Sequence, residues 1–163
     1  MRANFALPTD MVDQIEQIIA SLRRMAEAEC VMLADISGQL ISVHGHLEES
    51  DPTLVAALAA GDVAAMAELS RRIGEESPSC SLLHEGKHKS IYMHNIANSF
   101  VLLVVYGSDT LVGMVRLFAG RAAEKLEELA VEFEELASQP GAPPAADFGA
   151  ALADELEKAF GEF

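Results

Sequence analysis

Five histidines and two cysteines are the residues whose types first invite chemistry. His44 and His46 bracket Gly45, and His84 and His88 flank a turn a few residues after Cys80. A transition-metal site needs three or four such donors converging at about 2.0–2.3 Å, and its dependable signatures set them on a rigid frame. No Cys-x-x-Cys occurs, and His84-x-x-x-His88 spans a turn rather than a helix. The competing reading is surface histidines at loop rims, and no metal or cofactor is called for. Cys30 and Cys80 have no histidine or basic helix end evident beside them, so they read as small buried hydrophobes rather than nucleophiles.

The phosphate-binding pattern G-x-x-x-x-G-K-[ST] is also missing. Gly86-Lys87 and Gly120-Arg121 lack both the glycine spacing and the following Ser/Thr, and without that backbone nest a nucleoside triphosphate has no cradle. G-x-G-x-x-G, G-x-S-x-G and H-E-x-x-H are absent as well, which argues against the enzymes built on them. No intrinsic catalytic site emerges, so the chain is expected to act as a non-enzyme. Arg71-Arg72 closes a helical stretch and has two readings. The pair can simply match the negative end of the helix dipole, or it can touch an acidic or phosphate-bearing partner, an arginine finger included. Arg116 and Arg121 are expected at ordinary surface positions.

A chain of 163 residues, half of them apolar, is long enough for one core without staples. Eleven basic against 26 acidic residues give a formal charge of −15, which excludes general affinity for nucleic acid or anionic lipid. Wholly apolar runs such as 100–106 and 30–34 are far shorter than the roughly 20 residues of a membrane span. No secretory signal is visible at the start, and two cysteines cannot frame a secreted scaffold. A cytoplasmic protein without membrane insertion is the expectation.

Hydrophobic periodicity orders the elements. Val12, Ile15, Ile19, Leu22 and Met25 recur at three and four, predicting a helix over 9–28 capped by Thr9. Apolar runs at 30–34 and 40–44 around Asp35-Ile36-Ser37-Gly38 predict a hairpin. Ser50-Asp51-Pro52 starts an Ala/Leu-rich helix that Gly61-Asp62 should break or kink, Asp62 recapping its second half, and that Gly74 should end. Strands follow over 79–85, 90–95 and 100–106, then a helix over 110–137 with the stripe Leu111, Val115, Phe118, Ala122, Leu126, Leu129, Phe133, Leu136. Gly113 and Gly120 inside it are read as marks of close helix–sheet contact. Strands 30–34 and 100–106 are apolar on both faces and belong in the middle of the sheet, the other three outward. The fold class is α+β: a five-stranded antiparallel sheet with helices on both faces, in the order α-β-β-α-β-β-β-α.

Residues 1–138 form this domain, 139–147 a Pro/Gly linker, and 148–163 an amphipathic tail helix. The tail stripe is Phe148, Leu152, Leu156, Phe160 and Phe163. Residues 121–163 hold three basic and eleven acidic groups. The tail can dock its Phe/Leu face on its own domain, or it can reach a groove on a partner, with its acids steering the encounter.

This order of elements resembles the Roadblock/dynein light chain superfamily. The likeness is carried by the hairpin from Cys30-Val31-Met32-Leu33-Ala34 through Asp35-x-x-Gly38 to Leu40-Ile41-Ser42-Val43, and by the fifth strand leading through Thr110-Leu111-Val112-Gly113 into the last helix. The segment from Gly113 to Leu126 is similar to the start of the final helix in bacterial members of the MglB type. The resemblance covers roughly residues 9–137. It implies a homodimer in which the second helix and third strand of each copy meet. Leu54, Leu58 and Leu69 among the helix alanines, with Ser81 and Leu83 on an otherwise exposed strand edge, suit that role. It further implies an MglA-type Ras-like GTPase as partner, whose hydrolysis is stimulated by rearranging its own catalytic groups without a donated arginine. Arg71, Arg72 and the tail stripe are the candidate partner contacts. The superfamily also holds pure adaptors, so a non-catalytic dimeric scaffold for signalling or motility complexes is the alternative. A small-ligand sensor is a third possibility, for which no convergent polar set is visible.

Overall fold

The computed structural model describes residues 7–76 and 80–138. It contains α1 (Thr9–Ala26), β1 (Cys30–Asp35), β2 (Leu40–Gly45), α2 (Pro52–Arg72), β3 (Ser81–Glu85), β4 (Lys89–Ile96), β5 (Phe100–Gly107) and α3 (Val112–Ala137). The five strands form one antiparallel sheet in the order β2-β1-β5-β4-β3. The expected linker 139–147 and tail helix 148–163 lie outside the described residues, as does the predicted start of the third strand.

The two strands with continuous apolar sequence sit where both faces are covered. Alternate residues of β1 and β5 feed two cores. Val31, Leu33, Phe100, Leu102 and Val104 pack beneath α1 and α3, while Cys30, Met32, Val101, Leu103 and Val105 pack beneath α2. β4 is also internal, between β5 and β3, although its polar residues placed it outward in sequence. Tyr92 and Ile96 join the α1/α3 core and Met93 the α2 core. Asn95 is buried but satisfied within the β4–β5 turn, where its Nδ2 donates to Asn98 Oδ1 at 3.0 Å and its Oδ1 accepts from Asn98 N at 3.2 Å.

The helices depart from sequence expectation in instructive ways. α1 buries Met11, Ile15, Ile19, Leu22 and Ala26; Val12 and Met25, assigned to the stripe, lie off it, because the alternative phase keeps the same three-and-four spacing. Pro8, not Thr9, occupies the N-cap position. Asp51 caps α2 as expected, its carboxylate accepting from Thr53 N at 3.0 Å. Gly74, at φ +87°, closes it: Gly74 N donates to Arg71 O and Glu75 N to Ser70 O, a Schellman ending. The predicted break at Gly61-Asp62 does not occur, and α2 is one helix. A mid-helix glycine costs only about 1 kcal/mol, and Ala59, Ala60 and Val63 hold both halves on the sheet.

Gly113 and Gly120 are not close-contact glycines either: a Cβ at either position meets nothing within 4 Å. Gly120→Ala is therefore expected to raise stability by about 0.5–1 kcal/mol through lost unfolded-state entropy. Urea unfolding at fixed protein concentration checks it, and a loss of stability would contradict the open space.

The glycines that do matter are in β-turn and strand positions. Gly38 has φ +94°, and its missing Cβ would lie 3.0 Å from Ala57 Cα, so the β1–β2 turn rests directly on α2. Asp35 Oδ1 organises that turn, accepting from Ser37 N, Ser37 Oγ and Gln39 N.

Candidate interaction surface

α2 is apolar on both sides, and the described residues cover only one of them. Its sheet-facing side carries Ala56, Ala59, Ala60 and Val63, small residues that let the helix lie close. Its outward side carries Leu54, Leu58, Leu69 and Ile73, which remain 58%, 65%, 54% and 77% exposed. Leu54, Leu58, Ala65 and Leu69 are spaced by four, seven and four and so form one ridge. By length and composition α2 could cross a membrane, yet only 22% of its apolar window is buried within the chain. Counting unbroken apolar runs missed it, because Asp62 interrupts the sequence. An apolar ridge of this length on a water-facing helix calls for a partner surface.

β3 lies at the sheet edge with β4 as its sole strand neighbour among the described residues. Its backbone edge is a template for pairing. Register decides which side chains share the α2 face. Leu82 is opposite Met93, a member of the α2 core, whereas Leu83 is opposite Tyr92 and packs on the α1/α3 side. Ser81 is exposed and alternates with Leu82, on Leu83's side. The helix leucines and Leu82 are thus on one face, with Ser81 and Leu83 on the other. The sequence alternates Leu82 against Ser81 and Leu83 but carries no register to assign the faces.

Arg71 and Arg72 project from the last turn of α2, and both are engaged. Arg71 Nη2 bonds Glu68 Oε2, and Arg72 Nε bonds Glu68 Oε1 at 2.8 Å. Exposed pairs of this kind contribute at most about 1 kcal/mol, so they orient the guanidinium groups without locking them.

The histidines separate. His44 Nε2 lies 2.5 Å from Glu16 Oε2, while Ser42 Oγ donates to Glu16 Oε1 at 2.9 Å, linking β2 to α1. His94 is lowered from its ordinary value by burial, with Glu127 opposing, and lies 3.4 Å from Tyr92 Oη through Nδ1. His46, His84 and His88 are exposed. Among the described residues, no three His, Cys, Asp or Glu side chains are grouped to hold a metal ion. Burial pushes the Cys30 thiol up, with Arg23 only partly offsetting it, the reverse of nucleophile activation. Gly86-Lys87 sits in the β3–β4 turn and Gly120-Arg121 inside α3, so neither joins a strand to a helix as a phosphate loop does.

A groove of about 600 Å³ runs between α1 and α3 on the opposite face of the molecule. Ile18, Met25 and Phe118 line it, and the Arg121 guanidinium carbon stands 5.5 Å from the Phe118 ring centre. Nothing in the sequence pattern pointed to it, since it depends on two helices distant in sequence being brought side by side on one face of the sheet.

An open antiparallel sheet flanked by α1 and α3 on one face and α2 on the other, with β3 at its edge beside an apolar α2 ridge, defines a Roadblock-type interaction module. Residues 14–106 match the Roadblock/LC7 domain, and the chain belongs to that family. Among solved structures it is similar to Myxococcus xanthus MglB, at 35% identity and TM-score 0.72, covering 83% of this chain and 98% of that one. It also shares the fold of the gliding protein MglB of Thermus thermophilus, at 22% identity and TM-score 0.70 over 81% of this chain and 99% of that one. An MglB solved in a tetrameric arrangement matches at 22% identity and TM-score 0.72, over 81% of this chain and 98% of that one. Comparison with curated protein sequences finds no match.

Proposed function

We propose that the protein is a dimeric regulator of an MglA-type Ras-like GTPase, stimulating GTP hydrolysis without an arginine finger. The observation that carries this reading is the 35% identity with Myxococcus xanthus MglB across 98% of that chain. The exposed α2 ridge supports pairing with a second copy, which would cover Leu54, Leu58 and Leu69 and remove the need for a membrane. Cytoplasmic location belongs to the same proposal. Acceleration would come from holding the partner's switch loops in reactive geometry, where the partner's own groups stabilise the charge that develops. Arg71, Arg72 and the tail stripe are the contacts offered to the partner.

The engagement of both arginines by Glu68 supports a positioning role. An arginine finger contributes about 10³–10⁵-fold to hydrolysis, whereas rim contacts alter binding by far less. In single-turnover GTP hydrolysis by a cognate MglA-type GTPase, the protein is expected to accelerate the reaction, and R71A/R72A to retain that acceleration within about tenfold at saturation. A loss of several orders of magnitude would restore the finger mechanism. Binding without acceleration would instead select the scaffold role.

A further inference from the structure

α1 and α3 are antiparallel neighbours, because Thr110 Oγ1, just ahead of α3, donates to Glu27 O at the end of α1 at 3.2 Å. The groove between them has a buried floor, Leu22 and Leu129, but unfinished walls: Ile18 and Phe118 are half-buried and Met25 is 46% exposed. Its polar rim is neutral on α1, while α3 supplies Arg121, Lys125 and Glu128. A site with more cations than anions is unusual in a chain of net charge −15. It suits an apolar helix with acidic flanks.

The sequence beyond α3 carries an apolar stripe with acids beside it, at the end of the chain nearest this groove. We propose that residues 148–163 dock in this groove, seating the stripe Phe148, Leu152, Leu156 and Phe160 on Ile18, Met25 and Phe118. As a helix the segment carries Glu155 and Glu162 seven apart on one flank, placing acids beside Arg121 and Lys125 of the groove rim. The reach is sufficient. α3 ends at Ala137, about 12 Å beyond Leu129 at 1.5 Å per residue, and residues 139–147 extend to at most about 30 Å. The segment then runs back antiparallel to α3. Its ~24 Å length as a helix more than spans the ~16 Å from Leu129 to Phe118. A short tether holds it at an effective concentration of about millimolar, so even a weak contact is populated. A docked stripe is withheld from any partner, which makes the groove a competitor for the tail whatever that partner is.

The chain has no tryptophan, so Phe160→Trp in the full chain supplies a single reporter. Its emission is expected to be blue-shifted, shielded from acrylamide and independent of protein concentration. In the same background, Met25→Glu, or the pair R121E/K125E, should return it to the solvent-exposed position while far-UV circular dichroism is unchanged. Val131→Glu, an exposed position of α3 away from the groove, should leave it shielded. An exposed indole in the full chain overturns the proposal. So does shielding indifferent to both groove variants, which would place the segment elsewhere, or shielding lost on dilution, which would assign it to another copy.

Discussion

Gly45→Val should cost this domain about 3–6 kcal/mol, combining a non-glycine in a forbidden region with a forced overlap in a packed site. Gly45 ends β2 at φ +98°, and a Cβ there would lie 2.1 Å from Glu29 O, 2.7 Å from Arg23 Nε and 2.9 Å from Cys30 Cα. Two of these are backbone atoms of the strand it pairs with or the residue just before it, so neither can swing aside. Arg23 Nε itself donates to Glu29 O at 3.2 Å, and His46 N donates to the same carbonyl. Total stability of a domain is about 5–15 kcal/mol, so the variant should be marginal or unfolded at 37 °C. Gly74→Ala is the matched control, with φ +87° but open space around the Cβ, and should lose only about 1–2 kcal/mol. Urea unfolding of both at one protein concentration gives the difference. Equal losses would mean that the close approach at Gly45 is not felt.

Leu58→Glu should abolish stimulation of the partner GTPase while leaving the fold intact. Leu58 is 65% exposed on α2, so within one chain the change removes little packing. In a two-fold pair the same ridge meets itself, and each copy then buries a carboxylate whose desolvation is worth several kcal/mol. The dimer's dissociation constant should rise about tenfold for each 1.4 kcal/mol lost from the assembly, so that it dissociates at micromolar concentration and acceleration of single-turnover hydrolysis falls with the fraction of dimer left. Val131→Glu, equally exposed but on α3, should keep the dimer. Undiminished acceleration by a monomeric Leu58→Glu would show that one copy suffices.

The sheet was legible because burial on two faces leaves an unmistakable sequence: 30–34 and 100–106 have no polar residue, and both lie at the centre. The Asp35–Gly38 turn was legible for a similar reason, since an Asx side chain and a glycine have local jobs. Helix phase was less so. Met11 and Val12 are both apolar, and only the position of α3 and the sheet decides which is buried. The continuity of α2 was hidden because Gly61-Asp62 is a local breaker that sheet contacts override. The role of Gly45 and the Glu16–His44 link depend on residues distant in sequence, as does the face of Leu82. Periodicity reports which residues want burial; it does not report against what.

Two copies joined through α2 are proposed to create the working surface. Sedimentation equilibrium of the full chain at micromolar concentration tests it without knowledge of any partner. The expected mass is twice the 17.4 kDa of one chain, reduced to one chain by Leu58→Glu. A wild-type mass of 17.4 kDa would contradict it.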